Sequence, residues 1–146
     1  MLRHIESFRA EDTFALGEEM GKEAAPGQVI ALSGDLGVGK TVFTKGFAKG
    51  LGVKEDVNSP TFTILQEYDG GRLPFYHFDV YRILDVYDME EIGYEDYFYG
   101  DGVCLVEWAE VVQSLLPASV IWVRIEKDPA KGFDYRRIVV EGGEEN

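Results

Sequence analysis

The chain has 146 residues, 45% of them hydrophobic, with a formal net charge of −13 at pH 7. That length suits one domain with a proper core, and the hydrophobic share excludes intrinsic disorder. The acidity argues against strong unaided binding of nucleic acid, since phosphate neutralisation by Lys and Arg supplies most of that affinity; the acid serves either a basic partner surface or plain solubility.

Leu2 to Phe8 alternates loosely and predicts a first, edge strand. Glu11, Asp12 and Thr13 offer capping chemistry, and Phe14, Leu16, Met20 and Ala24 predict a helix that ends at Pro26-Gly27. Gly17 and Gly21 weaken that helix but permit close packing. Val29 to Leu32 is a short apolar run after a breaker and predicts a buried strand. Val42, Phe43, Phe47 and Leu51 recur at helical spacing until Gly50 and Gly52 close a second helix. Gly52 to Pro60 is a polar connection. Thr61 to Tyr68 reads as a strand, Asp69 to Arg72 as a hairpin turn, and Leu73 to Asp79 as the return strand. Tyr81 to Phe98 is acidic and aromatic, predicting one or two short helices interrupted at Gly93. Val103 to Val106 reads as a second buried strand, Ala109 to Leu116 as a helix stopped by Pro117, and Val120 to Glu126 with Tyr135 to Glu141 as a final hairpin. Residues 142–146 read as a frayed tail on a single domain spanning 1–146.

Between the first buried strand and the second helix stands Gly34-Asp35-Leu36-Gly37-Val38-Gly39-Lys40-Thr41, which matches G-x-x-x-x-G-K-[ST], the phosphate-binding loop of P-loop nucleotidases. Glycines let the backbone turn and expose its N–H groups as an anion nest at a helix N-terminus. Lys40 supplies a charge for the β- and γ-phosphates, and Thr41 a hydroxyl for a phosphate-bound Mg²⁺. A chance match is expected in roughly one chain of this length in a hundred, so the context matters. Strand, glycine loop and helix stand in the required order. The fold class is therefore α/β: a P-loop NTPase-like domain with a mixed, mostly parallel central sheet flanked by helices. The P-loop strand is central and the antiparallel hairpins lie toward the edges.

Such an enzyme needs an apolar strand ending in an acid that reaches Mg²⁺ or its water. Two stretches qualify: Val103-Cys104-Leu105-Val106-Glu107, with the better strand pattern, and Phe75-Tyr76-His77-Phe78-Asp79, with the more usual residue type. Ser59-Pro60-Thr61 occupies the place where nucleotide switches sense a γ-phosphate, or is a plain loop-to-strand entry. His77 is a proton carrier or, more economically, a packed and hydrogen-bonded histidine. Trp108 and the tyrosines at 76, 81, 94, 97 and 99 read as core and rim, with a docking face as the alternative. No stretch approaches the ~20 apolar residues of a membrane span, and Met1 to Glu6 lacks the apolar core of a signal peptide. The one cysteine, Cys104, cannot form an internal disulfide and reads as a small core residue in a reduced cytoplasm.

Gly34 to Thr41, Ser59-Pro60-Thr61-Phe62, His77-Phe78-Asp79-Val80-Tyr81-Arg82 and Leu105-Val106-Glu107-Trp108 occur in the order and spacing of the TsaE (YjeE) family, which the chain resembles over nearly its whole length. The resemblance implies a bacterial ATPase of tRNA threonylcarbamoyladenosine biosynthesis that acts with TsaB and TsaD, hydrolysis resetting the pair between turnovers. It implies ATP and Mg²⁺ as ligands, with Gly37, Val38, Gly39, Lys40, Thr41 and Val42 contacting the nucleotide. It further implies that Thr41 and Glu107 hold Mg²⁺, that Asp79 supports the metal or the attacking water, that Thr61 is the switch threonine and that Arg136 approaches the nucleotide. Many members carry a threonine where this chain has Val42, so a hydroxyl near the α-phosphate is lost.

Three other readings stand beside this one. A small-molecule kinase needs lid arginines over the phosphates, and the seven arginines here are scattered. A GTP-controlled module needs N-K-x-D, which is absent. A docking subunit would keep ATP without turning it over.

Overall fold

The computed structural model describes residues 1–35, 37–58, 64–83 and 85–143. Seven strands form one sheet: β1 (Leu2–Ser7), β2 (Val29–Ser33), β3 (Leu65–Tyr68), β4 (Phe75–Asp79), β5 (Val103–Glu107), β6 (Ile121–Lys127) and β7 (Arg136–Gly142). The helices are α1 (Ala10–Glu23), α2 (Lys40–Leu51), α3 (Val86–Glu91) and α4 (Tyr94–Phe98). The strand order is β1-β7-β6-β2-β5-β4-β3. β6, β2, β5 and β4 run parallel, while β3, β7 and β1 are antiparallel to their neighbours. The P-loop strand is thus central, the hairpins lie outward and β1 is an edge, as the sequence predicts.

The two continuous apolar runs are the two strands covered on both faces. Ile30, Leu32, Val103 and Leu105 face α1 and α2 and pack with Phe43 and Phe47. Val29, Ala31, Cys104 and Val106 face the other way, into a second core with Phe78, Met89 and Phe98. Alternation along a strand therefore builds two apolar layers from one sheet. Cys104 lies in the second layer, where burial pushes its thiol up to about 12. The native protein is expected to resist thiol alkylation at pH 8 and to react once unfolded in guanidinium. Rapid labelling of the native state would place Cys104 elsewhere.

The helical layer over the first core is unusually close. A Cβ at Gly17 would stand 2.3 Å from the Phe43 carbonyl oxygen, and one at Gly21 2.2 Å from that of Phe47. Reciprocally, Gly46 faces the Phe14 carbonyl and Gly50 that of Glu18, each at 2.2 Å. Two glycine pairs at i, i+4 spacing thus bring the backbones of α1 and α2 into contact. Gly50 accordingly sits inside α2 at this crossing, and it is Gly52, at φ 86°, that caps the helix.

Several boundaries differ from expectation. Asp12 accepts a hydrogen bond from the Phe8 N–H at 2.9 Å, whereas Thr13 is buried and shares a 2.8 Å bond with Ser7 rather than capping. Arg72, read as a turn residue, donates to the carbonyls of Gly21, Lys22 and Ala24 and caps the C-terminus of α1. β3 begins at Leu65, with Ile64 in a bend; residues 61–63 of the expected strand lie outside the described residues. Ala109–Leu115 is not an α-helix but 3-10 turns, kinked at Val112 (φ −119°, ψ 28°). Val111-Val112 disfavours helix, and Val112 must turn inward to be buried. The expected frayed tail starts too early: Gly142 closes β7, and the Gly142 and Gly143 N–H groups donate to Met1 and Val120. Among the described residues no helix is long and apolar enough to cross a membrane.

Candidate functional site

The loop after β2 is shaped by its glycines. Gly34, Gly37 and Gly39 have φ of 155°, 78° and 110°, a region side chains avoid. At Gly34 there is also no room, since a Cβ would meet the Ile125 carbonyl at 2.7 Å. Gly39 is the N-cap of α2, which has no side-chain cap and no acid in its first turn. The free N–H groups and positive dipole end of a twelve-residue helix are left for an anion.

Lys40, first residue of α2, is 6% exposed. Its Nζ donates to the Gly34 carbonyl at 2.5 Å and lies 3.6 Å from the centroid of the Trp108 ring. Burial pushes the ammonium below the usual lysine range, opposed by Glu107, Glu110, Asp79 and Asp35 in falling order. Four carboxylates therefore surround one buried cation. Trp108 holds its place over Lys40 from φ 60°, the only positive φ of a non-glycine among the described residues. Such a conformation costs about 1–3 kcal/mol and persists where the surroundings demand it. Here it turns the chain sharply at the end of β5 and lays the indole between Lys40 and Tyr81, whose ring centroid is 4.7 Å away.

The two acids that the sequence leaves as alternatives are neighbours. Asp79 ends β4, Glu107 ends β5, and the two are directly paired across the parallel ladder, level with Leu32 of β2. Glu107 is buried and its Oε2 lies 2.7 Å from His77 Nε2. Burial pushes Asp79 above the ordinary carboxylate range; the Tyr81 N–H on its Oδ1 pulls it back, and Glu107 raises it further. Phosphate loop, lysine and both acids thus meet at the C-terminal ends of three adjacent parallel strands, the usual ligand edge of an open α/β sheet.

The family model described as threonylcarbamoyl adenosine biosynthesis protein TsaE matches residues 7–138. This chain belongs to the TsaE family. The tRNA threonylcarbamoyladenosine biosynthesis protein TsaE of Bacillus subtilis is 50% identical over 128 residues, covering 88% of this chain and 78% of that protein. That of Treponema pallidum is 45% identical over 116 residues, covering 80% and 85%. A crystal structure of Bacillus subtilis YdiB superposes with a TM-score of 0.83 at 40% identity, covering 99% of this chain and 87% of that one. The family role is in tRNA threonylcarbamoyladenosine biosynthesis.

Against the TsaE expectations, Gly37, Val38, Gly39 and Lys40 form the loop and Thr41 is exposed one residue into α2. Val42 lies beside Ala10, Glu11 and Phe14 in a shallow surface recess. Thr61 lies outside the described residues. Arg136 is bound to the loop itself: its Nε donates to the Val38 carbonyl at 2.8 Å and its Nη1 to the carbonyls of Phe133 and Tyr135. It ties β7 to the phosphate loop. His77 is the packed, hydrogen-bonded histidine. Tyr76, Tyr94 and Tyr97 pack partly buried against ring neighbours, while Tyr81 and Tyr99 are exposed.

Sequence reasoning missed two features. One is Trp108 as the cover of Lys40, which no spacing rule connects across 68 positions of chain. The other is a short Ser33–Glu110 hydrogen bond at the mouth of a cleft of about 650 Å³, lined also by Gly34, Trp108, Arg124 and Lys127. A Ser after an apolar strand and a Glu three residues past the strand-end acid carry no signal until the strands are paired.

Proposed function

We propose that this chain is a Mg²⁺-dependent ATPase subunit that works with TsaB and TsaD in threonylcarbamoyladenosine modification of the tRNA adenosine next to the anticodon. ATP hydrolysis resets that complex between turnovers. The observation that carries the reading is the meeting of Lys40, Glu107 and Asp79 at one sheet edge beneath an uncapped helix N-terminus.

The residues suit the metal. No group of three or more His, Cys, Asp or Glu side chains able to hold an ion stands among the described residues. Mg²⁺ on a nucleotide asks for less: one or two protein oxygens, the rest from phosphate and water. Thr41 and Glu107 would hold it, with Asp79 behind them. Burial is the main cause that raises Asp79, and a divalent cation beside Asp79 and Glu107 also relieves the smaller part that comes from Glu107. When bound, Mg²⁺ neutralises charge on the β- and γ-phosphates and polarises the transferred group. The chain does the rest. The loop N–H groups and Lys40 hold the phosphates in place. Asp79, held by the Tyr81 N–H, orients a water. Trp108 excludes bulk solvent from the Lys40 side.

The test is phosphate release from Mg-ATP by the protein alone and with purified TsaB and TsaD. A low rate that rises sharply with the pair supports the reading; a rate the pair leaves unchanged removes the partnership. Asp79→Asn and Glu107→Gln are each expected to keep ATP binding while hydrolysis falls about 10- to 100-fold. Normal hydrolysis by both would displace the metal site.

A further inference from the structure

We propose that His77 is the positioning residue for Glu107: its Nε2–H donates to the Glu107 carboxylate and holds that group in one orientation at the mouth of the phosphate loop. The proposal rests on reading Glu107 as a Mg²⁺ ligand.

The direction of the hydrogen bond follows from what surrounds the ring. His77 Nε2 and Glu107 Oε2 are 2.7 Å apart, with side chains 1% and 4% exposed. The other ring nitrogen, Nδ1, is buried with no hydrogen-bond partner among the described residues. A hydrogen on Nδ1 would be a donor buried with nothing to accept it, which native interiors avoid. A bare lone pair there is the lesser loss. The hydrogen therefore sits on Nε2, and Glu107 accepts it.

The ring cannot easily turn away. It stacks on Phe75 with centroids 6.1 Å apart and planes 7° from parallel. Phe75 is fully buried and is itself braced by Phe47 and Tyr68. Register supplies the reach. His77 pairs with Leu105, and Asp79 with Glu107, so His77, Asp79 and Glu107 emerge on one face of the sheet, the face covered by α2. His77 reaches diagonally forward to the end of the next strand. Its burial and unpartnered Nδ1 leave no route for a proton to solvent, which separates this role from that of a proton carrier. Partners of this kind behind a metal-binding carboxylate are worth about 10- to 100-fold in metal affinity.

Glutamine and methionine at position 77 test this, because they have nearly the same shape and only glutamine can donate. The probe is Mn²⁺ binding to the protein–ADP complex, followed by electron paramagnetic resonance, with metal-free ADP affinity measured by calorimetry. His77→Met is expected to weaken Mn²⁺ by about 10-fold or more and leave metal-free ADP affinity unchanged; His77→Gln is expected to stay within about threefold of the native chain. Equal loss in both variants would make His77 a space-filling residue, and no loss in His77→Met would remove its role. Should methionine fail to fold, His77→Phe keeps a ring and lacks the donor, and is judged by the same two affinities. A native ADP complex that binds Mn²⁺ no better than ADP alone would overturn the metal reading of Glu107, and this role with it. That outcome is distinct from the other two.

Discussion

Lys40→Ala is expected to cut ATP turnover, with TsaB and TsaD present, by about 100- to 1,000-fold, while leaving the fold in place. The two halves of that expectation have separate causes. Lys40 is the cation that the loop motif itself supplies, buried among Glu107, Glu110, Asp79 and Asp35, whereas Arg136 is committed to the carbonyls of Val38, Phe133 and Tyr135. Its native partners, by contrast, are a carbonyl and an indole face. Those compensate only part of the cost of burying an ammonium, as its lowered pKa shows. Removing it sacrifices one hydrogen bond and one cation–π contact, about 1–2 kcal/mol together, and with them the attraction of the four carboxylates, but it also relieves the desolvation that outweighs that attraction. Urea unfolding should therefore show a midpoint close to that of the native chain. Phosphate release measured beside it should be nearly gone. A variant that still supports tRNA modification at the normal level would remove the phosphate loop from the function.

Gly46→Ala should lower thermal stability, against the usual direction for a helical glycine. Alanine in a helix interior gains about 1 kcal/mol over glycine. At position 46 the added methyl would stand 2.2 Å from the Phe14 carbonyl oxygen and 3.2 Å from the Glu18 nitrogen, both backbone atoms that cannot swing aside. Forcing α1 and α2 apart costs about 3 kcal/mol on the scale of overpacked cores. The net is a loss of ~2 kcal/mol, or roughly 5–10 °C in Tm. Gly70→Ala is the control: its Cβ would meet only the Glu55 side chain, at 3.8 Å, and it should change Tm little. Leucine at position 46 should leave no native protein. An unchanged or raised Tm for Gly46→Ala would mean the two helices do not touch through their backbones. The consequence reaches the site, because α2 begins at Lys40, and the contact with α1 that sets its position also aims its N-terminus.

What could be read without a structure was what local chemistry writes into adjacent residues. The phosphate loop is a contiguous string whose glycines, lysine and threonine announce their backbone needs and charge, and Val29 to Leu32 before it is apolar enough to demand burial on both faces. The central place of β2 and the outward hairpins follow from which runs are apolar throughout and which alternate. Hence the fold class and the family were legible. Boundaries were less so wherever a distant group decided them. Arg72 looks like a turn residue until it is found capping α1. Gly50 looks like a helix end until α1 is packed against it. Ala109–Leu115 looks helical until Val112 is seen turning inward.

The site divides along the same line. The loop, the lysine and a pair of strand-end acids can be read from the chain alone, because each is marked by its neighbours. The folded sheet settles that Asp79 and Glu107 stand side by side rather than as rivals. Their pairing depends on the register of β4 against β5, a one-residue slip of which would send one of them to the opposite face. It also decided that Trp108 covers Lys40, that Arg136 ties down the loop and that His77 serves Glu107. Those contacts join residues 30 to 98 positions apart, and what selects them is the geometry of a twisted sheet, which no local pattern encodes.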